Sequence, residues 1–308
     1  LKKTVVTRSL KDDRGTSMME KQGPDASQTL AVHRPSLIAS IDAHAHVFER
    51  GLSLARQRRY APDYDAPLDT YLAQLDEHGV SHGVLVQPSF LGTDCSYLLD
   101  ALRRAPERLR GVAVIEPDCG RDTLTAMARA GIVGIRLNLI GHADLPLHRW
   151  ASAQTLTHIR ELGWHVEVHA EAARLERIVR PLLDEGMNVV VDHFGRPDPT
   201  QGIDDPGFRR LLELGDTQRV WVKVSAAYRN WQNPGHDHDH VHGAVKLLTK
   251  AFSVDRLMWG SDWPHTQFET QVNFARTLDL LHAILPDQNE RRAIIADTPA
   301  KLYMFDVM

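Results

Sequence analysis

From Ile38 onward, short β-branched runs take turns with longer stretches of helical period, and this alternation restricts the chain to parallel strands joined by crossover helices. Eight such runs stand out: "LIASIDAHAHVF", "HGVLVQPS", "RGVAVIEP", "VGIRLNLI", "WHVEVHA", "NVVVDHFG", "VWVKVSAAY" and "RLMWGSD". Helical patterns such as "LDTYLAQLDEHG", "SYLLDALRRAPE" and "AARLERIVRPLLDEG" lie between them. Eight strand and helix pairs in about 265 residues match the size of a (β/α)8 barrel. A doubly wound sheet would more often carry a glycine-rich phosphate turn after its first strand, and none follows here. The expected fold is an α/β protein of the (β/α)8 TIM-barrel type, one domain over residues 38–308 without internal repeat, low-complexity tract or linker.

Residues 1–37 depart from that pattern, being polar, charged and aperiodic, with no apolar stretch long enough for a signal sequence. They are expected to form a disordered N-terminal extension. The chain opens on Leu1 and carries Met18 and Met19 further in, which leaves open whether residues 1–17 belong to the native protein. With 43% hydrophobic residues, 25% charged residues and a formal charge of −4, neither nucleic acid nor an anionic membrane is an expected partner. No 18-residue apolar run is present, so no membrane span is expected. Cys95 and Cys119 are too few for a disulfide framework and lack zinc-knuckle spacing, which points to reduced thiols and a cytoplasmic protein.

In a barrel the functional groups lie at the C-terminal ends of the strands, and polar residues gather there. The runs end in His44 and His46, Ser89, Arg136 and Asn138, His169, Asp192 and His193, Lys223 and Ser225 with Arg229 just beyond, and Asp262. Successive strand residues point to opposite faces, so His44 and His46 share a face roughly 6.5 to 7 Å apart, within reach of one ion. Ala43 and Ala45 would then face the helices. Among 17 histidines some pairs of this spacing arise by chance, and the pair alone does not decide. His44, His46, His169 and Asp262 could together supply three or four ligands to one divalent ion, zinc being the expected one, with a position open for water. His193 is left to hydrogen-bond that water or a substrate carbonyl. A single buried histidine is more often a satisfied core residue, but five such groups at chosen strand ends are not explained that way.

Asp262 and His193 are the expected catalytic pair: Asp262 to take a proton from the attacking water and return it to the departing oxygen, His193 to orient the water or stabilise an oxyanion. Arg136 and Arg229, with Ser89, are the expected binders of a small anionic substrate, since a guanidinium matches a carboxylate in two parallel hydrogen bonds. Structural ion pairs are the competing reading, and Arg136, inside an apolar strand, needs some anionic partner. "GHDHDHVH", with His236, His238, His240 and His242, reads as an exposed helix start rather than a second metal site. "RQRRY" at residues 56–60 reads as a solvated loop, with closure over an anionic substrate as the alternative.

"IDAHAHVF", "GIRLN", "VDHFGRPD" and "WGSDWPH" resemble the amidohydrolase superfamily, in the amidohydrolase-related branch that contains 2-pyrone-4,6-dicarboxylate, sugar-lactone and sulfomuconolactone hydrolases. The resemblance runs from about Ile41 to "TPAKLYMF". It implies an active site of His44, His46, His169, His193 and Asp262, and hydrolysis of a cyclic ester. Ser89 in "PSFLGTDCSYLLDAL", Arg136 in "GIRLN" and Arg229 in "KVSAAYRN" match places where the pyrone hydrolase binds its carboxylates. Two departures stand out. The pyrone hydrolase works without metal and has a tyrosine at the place of His169, so the resemblance here implies a one-ion relative. It also has a second arginine where this chain has His142. A metal-dependent decarboxylase of an aromatic or muconate-type acid is the alternative activity, and an inactive barrel kept as a binding protein is the third.

Overall fold

In the computed structural model, residues 38–143, 146–231 and 237–305 are described. The expected extension over residues 1–37 lies outside them, as do His236 and the side chain of His238. Strands β1 (Ile41–Ala45), β2 (His82–Val86), β3 (Leu109–Ala113), β4 (Ile132–Asn138), β5 (His165–His169), β6 (Asn188–Val191), β7 (Val220–Lys223) and β8 (Leu257–Met258) are parallel, each paired with the next. Helices α1 (Leu68–Glu77), α2 (Ser96–Arg104), α3 (Arg121–Arg129), α4 (Ala153–Glu161), α5 (Ala172–Asp184), α6 (Pro206–Glu213), α7 (Asp237–Phe252) and α8 (Phe274–Ile284) alternate with them. The seam is closed by the Ala43 amide on the Trp259 carbonyl at 3.0 Å, the Asp262 amide on His44 at 2.8 Å and the His46 amide on Trp263 at 2.8 Å. The expected (β/α)8 barrel is the observed one.

Strand alternation sorts the side chains into two apolar layers. Leu85, Val166, Val168, Val189, Val191 and Val222 join the helices in the larger one. Ile41, Val84, Val86, Val112, Val190 and Met258 form a smaller cluster inside the barrel with Tyr303 and Phe305. The Tyr303 ring lies 5.2 Å from that of His165 and the Phe305 ring 5.1 Å from that of His82, so these two aromatics close the end where β5 and β2 begin. Gly134, paired with His165, must lack a side chain: a Cβ there would meet the imidazole at 2.4 Å.

β1 is not a regular strand. Its register with β2 shifts between Asp42 and Ala45, the mark of a bulge. Ala45 packs in the helix-side layer as expected, but Ala43 belongs to the interior cluster, because the shift breaks strict two-residue alternation. The bulge is pinned by the buried Asp42 carboxylate, which accepts from the Ser261 amide at 2.7 Å, the Ser261 hydroxyl at 2.6 Å, the Tyr71 hydroxyl at 3.1 Å and the His44 amide at 3.2 Å. Burial pushes Asp42 up to about 6. Its contacts join β1 to the segment that carries Asp262.

Candidate active site

At the C-terminal ends of the strands a cavity of about 210 Å³ is lined by His46, His169, His193 and Asp262, by Ser89 and Asn138, and by four arginines, Arg59, Arg136, Arg196 and Arg229. His44 lies fully buried beneath it. His44 Nε2 and His46 Nε2 are 3.3 Å apart, and Asp262 Oδ1 is 3.8 Å from the first, 3.7 Å from the second and 4.0 Å from His193 Nε2. Two of these residues hold strained backbone: His193 at φ 54° and Asp262 at φ 60° both sit in the left-handed region that non-glycine residues avoid. That strain turns the chain at the ends of β6 and β8 so that both side chains face the cluster.

His169, the fourth expected ligand, stands beside it. Its ring is 5.0 Å from that of His193, its Nδ1 is 3.3 Å from Arg136 Nη2, and its buried Nε2 has no hydrogen-bond partner among the described residues. The imidazoles are all held neutral. Burial brings His193 down to about 3 and His46 to about 4, and it pushes His44 and His169 well below the ordinary value. Burial alone would raise Asp262, but the neighbouring Arg229 guanidinium outweighs burial and holds its carboxyl well below the usual range. Asp262 Oδ2 is taken by Arg229 Nε and by the Tyr228 hydroxyl, each at 2.6 Å, which leaves Oδ1 facing the imidazoles.

The two expected carboxylate binders face the cavity with their forks already engaged. Arg136 donates to Asp192 Oδ2 through Nε at 3.1 Å and Nη2 at 2.8 Å, with Glu167 Oε1 3.4 Å away. Arg229, besides Asp262, donates through Nη2 to the Thr266 carbonyl at 3.1 Å. The anionic partner that a buried Arg136 requires is therefore internal. By contrast, among the described residues the guanidiniums of Arg59 and Arg196 have no ion-pair or hydrogen-bond partner. Burial and nearby Arg229 lower Arg196 to about 10, still charged at neutral pH. Arg59 reaches over the turn at Gly141, where a Cβ would stand 3.1 Å from its Cδ. Neither was singled out from the sequence; the "RQRRY" loop was the only hint for Arg59, and nothing marked Arg196. His240 and His242 are exposed on α7.

Beneath the cavity, His44, Glu167 and Asp192 offer a second set of ligand atoms close together. That set already surrounds a cation: Lys223 Nζ lies 2.5 Å from Glu167 Oε2, 3.0 Å from His44 Nδ1 and 3.5 Å from Asp192 Oδ1. Burial and the neighbouring Asp192 push Glu167 up to about 7, whereas Arg136 and Lys223 overcome burial to hold Asp192 low. The upper set fits an ion better. Ligand atoms 2.0 to 2.2 Å from a tetrahedral ion stand about 3.4 Å apart, close to the spacing of His44 Nε2, His46 Nε2 and Asp262 Oδ1.

The amidohydrolase family matches residues 41–305. The 4-sulfomuconolactone hydrolase of Hydrogenophaga intermedia is 31% identical over 275 residues, covering 86% of this chain and 88% of that protein. The 2-pyrone-4,6-dicarboxylate hydrolase of Comamonas testosteroni is 30% identical over 278 residues, covering 86% and 90%. A solved Pseudomonas putida structure named for 2-pyrone-4,6-dicarboxylic acid hydrolase superposes with a TM-score of 0.81 at 48% identity, covering 88% of this chain and 99% of that one. The barrel, the histidines and aspartate at its mouth and this match over almost every described residue place the chain in the amidohydrolase family of enzymes.

Proposed function

We propose that the protein hydrolyses a small carboxylated lactone, of the 2-pyrone-dicarboxylate or sugar-acid type, with water as the nucleophile. The observation that carries this reading is Asp262 Oδ1, held 3.7 to 4.0 Å from three imidazole nitrogens under a cavity in which Arg59 and Arg196 have no partner among the described residues. The names of the two curated relatives above, a sulfomuconolactone hydrolase and a pyrone-dicarboxylate hydrolase, support it. His44, His46 and Asp262 would hold one divalent ion, zinc by the nitrogen and oxygen character of the set, with His193 adjacent. Such an ion lowers the pKa of a water toward 7 and polarises a carbonyl.

The chain's own groups do the rest. Asp262 Oδ1 accepts a proton from the water that attacks the lactone carbonyl. It returns that proton to the ring oxygen as the C–O bond breaks and the electron pair leaves with the oxygen. Arg229 and Tyr228, on Oδ2, keep Oδ1 turned inward. A guanidinium has no acceptor, so Arg136 against His169 Nδ1 places the His169 proton on Nε2, a donor for the developing oxyanion. His193, with Nδ1 on the Ser225 hydroxyl at 2.8 Å, turns Nε2 toward the water. Arg196 and Arg59, with Ser89, take the substrate carboxylates.

The test is a weakly buffered indicator screen of carboxylated lactones on gently purified protein of known metal content, with and without chelator. Lactone opening releases a proton per turnover, and Asp262→Asn should lower the rate by about 10²-fold to 10⁴-fold. Release of CO₂ with proton uptake from an aromatic acid would replace this reading with a decarboxylase. Near wild-type rates in the Asn variant would remove Asp262 from its role.

A further inference from the structure

The hydrogen-bonding polarity of the groups behind the paired histidines gives a direction to every contact between them. Lys223 Nζ carries donors only, and it lies fully buried 3.0 Å from His44 Nδ1. At that contact Nδ1 accepts, so neutral His44 carries its proton on Nε2. His46 is fixed from the opposite side: its Nδ1 is 2.7 Å from the Val86 carbonyl, which can only accept, so the His46 proton is on Nδ1 and Nε2 is bare. The two Nε2 atoms, 3.3 Å apart, therefore meet as donor and acceptor. A one-way chain runs from Lys223 through His44 and His46 to the Val86 carbonyl, and in it His44 offers no lone pair toward Asp262.

His44 has a second option. Asp192 Oδ1 lies 3.4 Å from the same Nδ1 and 3.5 Å from Lys223 Nζ, so it competes with the ammonium for that nitrogen. With the proton on Nδ1, that oxygen would be satisfied and Nε2 would become a ligand, the arrangement usual for a metal-bound histidine backed by a carboxylate. Lys223 would keep Glu167 Oε2 at 2.5 Å. The two states differ in which neighbour His44 Nδ1 serves.

We propose that Lys223 is a positioning residue that selects the tautomer of His44, favouring the form with the proton on Nε2 and so opposing ion uptake by the histidine pair. The uptake part rests on the reading of His44, His46 and Asp262 as an ion site; the tautomer part does not. Wild-type protein should then hold zinc loosely, and removing the Lys223 donor should tighten it.

Two-bond proton–nitrogen spectra of the full chain labelled with [¹⁵N]histidine read each tautomer directly, with His44 assigned by the signal lost in His44→Gln. The wild type, stripped by chelator, should show His44 protonated on Nε2. Lys223→Met should show it protonated on Nδ1 and, by calorimetry with zinc alone, bind at least tenfold more tightly. Lys223→Arg, still a pure donor, should keep the wild-type pattern. If Lys223→Met fails to fold because Glu167 is left uncompensated, Glu167→Gln combined with Lys223→Met removes both charges and gives the same readings. Wild-type His44 protonated on Nδ1, or a tautomer and zinc affinity unmoved by loss of Lys223, would overturn the proposal. A tautomer switch with no zinc uptake by any form would support the assignment of Lys223 and overturn the ion site.

Discussion

At the scale of single residues, the cavity divides its arginines by what they already hold. Arg136 and Arg229 are committed to Asp192 and Asp262, while Arg196 and Arg59 are free to meet an incoming anion. Arg196→Met should raise KM for a carboxylated lactone at least tenfold with kcat changed less, as expected for loss of a contact made equally in ground and transition states; steady-state kinetics on carboxylated and neutral lactones would show it, and an equal effect on both would exclude the role. The histidines and Asp262 were legible in the sequence because apolar strands do not otherwise end in such groups. The partners were not. Arg136 meets Asp192 across 56 residues, and a pairing of that separation leaves no local pattern. Lys223 stood out as a strand-end charge, but its contact with His44 spans 179 residues and exists only once the barrel closes.

At the scale of elements, β8 is the least regular and the most consequential. The run "RLMWGSD" reads as a strand, yet only Leu257–Met258 pair with β7. Beyond them the chain passes so close to β1 that a Cβ on Gly260 would lie 2.6 Å from His44 Cβ and 2.8 Å from its backbone nitrogen. Hydrophobic periodicity marks such runs but is blind to where backbones touch, so the eight runs were visible while the bulge in β1 and the early end of β8 were not. Gly260→Ala should leave the fold intact, at a cost of about 1 to 3 kcal/mol from crowding. By moving His44 against Asp262 it should lower kcat/KM by about 10²-fold, as small misplacements of reacting groups do. Thermal unfolding and kinetics on the same sample would separate the two effects, and full activity would show that the approach of β8 to β1 is not what aligns the site.

For the whole molecule, the barrel gathers unlike charges at different depths. Although the chain carries a formal charge of −4, the mouth presents guanidiniums, which focuses a positive field where an anion would enter. Deeper down, His165 is fully buried, and burial lowers it to about 3. The unfolded chain would bind a proton at that side chain near its ordinary value of 6.5, so between those limits the unfolded state holds more protons and stability falls as pH falls. The slope from such a group is up to about 1.4 kcal/mol per pH unit. Melting temperatures taken from pH 7 down to pH 4 should decline, and His165→Leu should flatten the decline; an unchanged slope would remove His165 as a source of it. No helix among the described residues is long and apolar enough to cross a membrane. Tyr303 and Phe305, brought back from the chain's last turn to sit under His165 and His82, act as a stopper at the end remote from the reaction. The Lys223 ammonium lies 5.9 Å from the Tyr303 ring centroid, so the same ring that plugs this end also shields from water the charges that back the paired histidines.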